Sequence, residues 1–98
     1  MSRQLTIRQE AETDLVEAFE WYEGRLPGLG LEFIRTVDSL FNSIIRNPQA
    51  YPVVYKTVRR ALTRKFPYEV LFIEDANSVA ILAVFHARRN PQRWRERI

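Results

Sequence analysis

The spacing of apolar residues changes once along this chain, and that change constrains the fold more than any other feature. Up to Ile45 the period is helical. Ala11, Leu15, Ala18, Phe19 and Tyr22 form one stripe at i, i+4, i+7, i+8 and i+11, and Phe33, Ile34, Val37, Leu40, Phe41, Ile44 and Ile45 form a second. After Pro52 the texture is that of strands. Val53-Val-Tyr55 together with residues 58–66 reads as one bulged strand region, residues 68–74 as a second strand and the apolar run 79–85 as a third, central one. Residues 4–8 alternate and give a short N-terminal strand. The punctuation agrees. Residues 24–30, with Pro27-Gly28, break the helical pattern, Asn47-Pro48 ends it, and Asp75-Ala-Asn-Ser78 has hairpin-turn chemistry. The order β-α-α-β-β-β predicts an α+β domain, with a helical hairpin on one face of a mostly antiparallel sheet and a short C-terminal tail.

Ninety-eight residues make a single domain spanning 1–98. At 46% hydrophobic, the chain can build one core of modest size, so a stabilising partner would matter. The absence of cysteine excludes disulfides and thiolate metal sites, and a single histidine makes a protein-built metal site unexpected. No cofactor is expected. No window reaches the ~18 apolar residues of a membrane span, and the N-terminus lacks the apolar stretch of a secretory signal. The expectation is a soluble cytoplasmic domain with no membrane partner.

Charge is distributed unevenly. Residues 1–49 carry five Lys/Arg against eight Asp/Glu, while residues 50–98 carry ten against four. This gives a basic protein of net charge +3 with an acidic front and a basic back, a pattern that points to partners. The end of the last strand delivers the only histidine, five arginines and a tryptophan: His86-Ala-Arg-Arg-Asn-Pro-Gln-Arg-Trp-Arg-Glu-Arg-Ile98. Such a cluster can grip a polyanion or an acidic protein surface. His86 is either a general acid/base flanked by arginines or a strand-end histidine bonded to a neighbour. Lys56, Arg59, Arg60, Arg64 and Lys65 line the first strand of the hairpin. Alternation puts Arg60 and Arg64 on one face and Arg59 and Lys65 on the other, as a charged edge strand would have them. Gly28-Leu-Gly30 lacks the further glycines and the lysine of a nucleotide loop and reads as a turn and cap. Glu10/Asp14 and Glu17/Glu20 read as a solvated helix face. Val16 and Trp21 lie on the flanks of the first apolar stripe and widen it.

Four stretches, taken together, resemble a known family: Asp14-Leu15 with Trp21-Tyr22-Glu23; Leu29-Gly30 with Phe33; Arg59-Arg60 running into Phe66-Pro67-Tyr68; and residues 81–86 followed by Arg88-Arg89-Asn-Pro91 and Trp94-Arg95. The chain resembles the RelE/ParE superfamily of toxins from type II toxin–antitoxin modules, and within it the ParE-like, plasmid-stabilization branch. The resemblance implies the same β-α-α-β-β-β fold, a cognate antitoxin partner, and inhibition of DNA gyrase by non-catalytic binding that traps the enzyme on cleaved DNA. Two alternatives come with the superfamily. One is a ribosome-dependent mRNA endonuclease, whose catalytic residues here would be His86, Arg60, Arg64 and Arg88. The other is a toxin-fold protein acting only through its antitoxin. The endonucleases carry a late tyrosine; no tyrosine follows Tyr68 here, and Ala87 follows His86. The residues expected at the target are Arg88, Arg89, Arg93, Trp94 and Arg95. Those expected at the antitoxin are Val16, Trp21, Arg59, Arg60 and Arg88.

Overall fold

A four-residue strand cannot persist alone, and the N-terminal strand is held by the far end of the chain. The structure, a computed structural model, describes residues 3–88 and Glu96. Its elements are β1 (Gln4–Ile7), α1 (Gln9–Arg25), α2 (Leu29–Arg46), a single 3₁₀ turn (Pro48–Ala50), β2 (Val53–Tyr55), β3 (Val58–Leu62), β4 (Tyr68–Glu74) and β5 (Ser78–His86). The five strands form one sheet in the order β1-β5-β4-β3-β2. β1 lies parallel to β5, with Gln4 opposite Ser78, and every other pair is antiparallel. The expected fold class therefore holds.

The helices form where the apolar stripes placed them. From α1, Ala11, Ala18 and Tyr22 are buried; from α2, Phe33, Val37, Phe41 and Ile44. They pack on Ala61, Val70, Phe72, Val79, Ile81 and Val84 of the sheet. At the centre stand four rings. Tyr22 meets Phe33 at 5.3 Å and Phe66 at 4.9 Å, and Phe33 meets Tyr68 at 5.0 Å, mostly edge to face. Each ring fully buried contributes roughly 1.5–3 kcal/mol, and each favourable ring pair adds about 1 kcal/mol. The opposite sheet face carries a second apolar cluster of Val58, Leu71, Leu82, Ala83 and Phe85. Leu82 belongs to it through a bulge: Leu71 pairs with Ala83 but Phe72 with Ile81, leaving Leu82 as the extra residue.

Several expectations are corrected. Gly24 lies inside α1 and Gly30 inside α2, so the break is confined to residues 26–28. A Cβ on Gly30 would sit 2.8 Å from the Phe19 ring and carbonyl, which is why a glycine stands at this crossing of the helices. Gly28 takes φ 90°, and the Glu23 carboxylate accepts the N–H groups of Gly28 (2.9 Å) and Gly30 (3.0 Å). The anion site at the start of α2 is thus filled by the protein's own side chain. The strand region read as continuous from 53 to 66 is two strands joined through Lys56-Thr57, with Lys56 at φ 53°. β3 ends at Leu62 and is an interior strand; β2 is the edge. β5 lies between β1 and β4, while the middle position belongs to β4.

The Asp75 turn is as expected. Its carboxylate accepts the N–H groups of Asn77 and Ser78 at 2.8 Å each, which holds its pKa below the usual value.

Candidate functional site

β1 stops at Ile7, and the Arg8 N–H closes the parallel ladder on the Ile81 carbonyl at 3.0 Å. Beyond that point β5 has β4 on one side and no strand on the other. The first main-chain donor left facing outward is the Val84 N–H, and the Asp14 carboxylate of α1 accepts it at 3.0 Å. Asp14 is 9% exposed. Its assignment to a solvated helix face is therefore wrong: the short N-terminal strand creates a buried donor that needs an acceptor at this turn of α1. By alternation the His86 N–H faces the same open side, while the Ala87 N–H turns the other way to the Pro67 carbonyl at 2.6 Å.

Between this open edge and α1 lies a cleft of about 680 Å³, lined by Asp14, Glu17, Trp21, Tyr22, Tyr68, His86 and Arg88 among others. Tyr22 forms its floor, and burial, with the neighbouring Tyr68 phenol, raises its pKa. Trp21 is 54% exposed on the rim, edge-on to Tyr22 at 5.1 Å, with the Arg25 guanidinium 4.2 Å over its ring. The His86 ring packs edge-on against Tyr68 at 5.4 Å, and its Nδ1 accepts the Arg88 N–H at 3.2 Å. In the neutral form the proton therefore sits on Nε2. The cleft offers aromatic surface, an open strand edge and charges of both signs, a combination suited to a protein segment.

The sequence-derived candidates distribute unevenly over the fold. Trp21, His86 and Arg88 share the cleft. Val16 is 56% exposed on α1. Arg59 is half-buried: it donates to the Tyr51 carbonyl at 2.6 Å and lies 3.9 Å from Glu74. Arg60 lies 3.9 Å from Glu69, on the face away from the helices. That pair is long. Burial raises the Glu69 pKa more than Arg60 lowers it. Arg64 lies elsewhere, in a groove against α2. The four residues of the endonuclease alternative thus occupy three places. Arg89, Arg93, Trp94 and Arg95, with the expected C-terminal tail, lie outside the described residues. Among the described residues no group of three or more His, Cys, Asp or Glu could hold a metal ion, and no helix is long and apolar enough to cross a membrane.

Sequence reasoning missed Asp14 and Tyr68 as parts of the site. Tyr68 faces His86 through the register of β4 against β5, which the sequence does not carry.

Comparison with known proteins gives one consistent result. Residues 5–91 match the family model described as the ParE toxin of the type II toxin–antitoxin system parDE. The chain is 32% identical over 92 residues to toxin ParE2 of Mycobacterium tuberculosis, in strains CDC 1551 / Oshkosh and H37Rv, covering 93% of this chain and 88% of the relative. A solved structure of the chromosomal ParDE system of P. aeruginosa superposes with a TM-score of 0.78 at 16% identity, covering 88% of this chain and 97% of the other.

Proposed function

This chain belongs to the ParE toxin family of type II toxin–antitoxin systems, and we propose from that premise that it inhibits DNA gyrase by binding alone and is neutralised by an antitoxin seated on the α1–β5 cleft. The observation that supports the non-catalytic reading is the scatter, among the described residues, of the four side chains named for the endonuclease alternative. An endonuclease must bring a base, an acid and a phosphate-stabilising cation to one point. Here His86 and Arg88 lie in the cleft, Arg60 is held near Glu69 on the other sheet face, and Arg64 faces α2. A poison needs only a complementary surface. The residues proposed to form it are Arg88, Arg89, Arg93 and Arg95 of the basic C-terminal sequence, with Trp94 as the proposed anchor.

The antitoxin reading draws on the cleft. An extended segment can pair with the open β5 edge while apolar side chains cover Trp21; Val16, on the other flank of α1, would be covered only by chain that continues over the helix. The segment's acidic residues would meet Arg88; Arg59 and Arg60, on β3 beyond β5 and β4, lie outside the cleft and could be met only by a second part of the antitoxin. Saturating antitoxin is expected to raise the melting temperature, because tight binding stabilises the folded state.

The decisive experiment sets a gyrase supercoiling assay beside a translating-ribosome cleavage assay. The expected result is inhibition of gyrase and intact mRNA. His86→Gln, which keeps a hydrogen-bonding side chain but cannot cycle protons near neutral pH, is expected to leave toxicity within a few-fold of wild type. Removal of residues 93–98 is expected to abolish it without unfolding the domain. Loss of toxicity in a folded, antitoxin-binding His86→Gln protein, with the truncated protein still toxic, would replace the gyrase reading by the endonuclease one.

A further inference from the structure

We propose that the groove between α2 and the β3–β4 loop binds the sugar-phosphate backbone of duplex DNA. Because β3 ends at Leu62, Arg64 and Lys65 are loop residues and strand alternation does not separate them. The loop is fixed by Thr63, whose Oγ1 lies 2.6 Å from the Phe66 carbonyl and accepts the Tyr68 N–H at 3.3 Å. Lys65 is held at φ 69°, a left-handed conformation unusual for a lysine. This conformation brings Arg64 and Lys65 to the same groove as Arg35, Ser39 and Ser43 of α2, which has a volume of about 760 Å³.

Three cations therefore face one carboxylate, Glu32, which lies 3.2 Å from Lys65. That pair is exposed on both sides and worth little, so Lys65 can exchange it for a phosphate. Among the described residues no carboxylate lies within ion-pair distance of Arg35 or Arg64. The groove follows α2 from Glu32 to Ser43, about 16 Å at 1.5 Å per residue, and so spans roughly five base-pair steps of 3.4 Å. Guanidinium, ammonium and hydroxyl donors are the groups that bind phosphates without reading sequence. A single-stranded RNA would instead call for aromatic platforms under its bases. Among the described residues the rings gather at the α1 cleft, and only the half-buried Tyr51 reaches the α2 groove.

The inference rests on the gyrase reading for its biological meaning, since a toxin that traps gyrase on cleaved DNA works within reach of a duplex. The test needs no gyrase. Fluorescence anisotropy of a labelled 20-base-pair duplex (a length of about 20 pairs exceeds the groove) is measured for the full chain against salt. Arg35→Gln/Arg64→Gln is expected to weaken binding about tenfold or more and to flatten the salt dependence by about 0.9 for each phosphate no longer neutralised. A charge-matched control, Arg8→Gln/Lys56→Gln, removes two positive charges outside the groove and is expected to stay within about twofold. Equal losses in the two double variants, no measurable duplex binding, or a preference for single-stranded RNA would overturn the proposal. A chain that spares gyrase yet binds duplex through Arg35 and Arg64 would sink the gyrase reading and leave this one standing.

Discussion

The two flanks of the helical hairpin differ in how they are built. On the α1 side, Tyr22 and Tyr68 belong both to the core and to the wall of the cleft, and Asp14 binds the sheet edge. On the α2 side, Arg35 and Arg64 make no ion pair among the described residues, and Lys65 makes only the exposed one with Glu32. The floor of the first surface cannot change without disturbing the fold, whereas its exposed rim and the cations of the second can. A protein partner that must recognise shape suits the first, and a polyanion recognised by charge suits the second.

Four variants test that contrast. The largest effect is expected from Tyr22→Ala, which removes a ring from the aromatic centre. It should destabilise the free protein by about 3 kcal/mol, read as a shift in the denaturant midpoint at constant slope. Asp14→Ala leaves the Val84 N–H buried without its acceptor and should cost about 2 kcal/mol. Hydrogen exchange at Val84 should accelerate selectively, and an unchanged rate there would remove the link between α1 and the β5 edge. Trp21→Ala touches the rim, so stability should fall by less than about 1 kcal/mol, while calorimetry should show antitoxin affinity dropping at least about tenfold. Equal stability losses for Trp21→Ala and Tyr22→Ala would mean that the rim and floor of the cleft have been confused. The smallest effect is expected from Arg35→Gln/Arg64→Gln, within about 0.5 kcal/mol of wild-type stability. A larger loss would show that the cationic flank supports the fold after all.

The helices and most strands are legible in the sequence because burial follows period: the positions read as apolar stripes include every buried side chain of α2. What is not legible depends on where elements stop. Lys56-Thr57 lacks glycine and asparagine, so nothing in its composition marks the turn between β2 and β3. Asp14 sits among Glu10, Glu12 and Glu17 and looks like its neighbours; only the early end of β1 creates the donor it accepts. Alternation puts Arg64 and Lys65 on opposite faces, but that rule holds only inside a strand, and β3 ends before them. Arg35 is an ordinary helix residue until the loop comes to rest beside it. The cleft is half legible. His86, Arg88 and Trp21 stand out by rarity, charge and size, whereas the tyrosine opposite His86 needs the register of β4 against β5.

The parallel pairing of β1 with β5 joins Gln4 to Ser78, and the Asp14 bond reaches Val84 across 70 residues. A nascent chain emerges from its N-terminus, at roughly 5–20 residues per second. Until β5 has emerged, β1 has no strand to lie against, the rings of α1 and α2 have no sheet to cover, and the wall that carries His86 does not exist. A fragment released early by a stalled ribosome therefore presents neither the cleft nor a closed core. The cleft exists only once β5 has been made and has paired with β1 and β4.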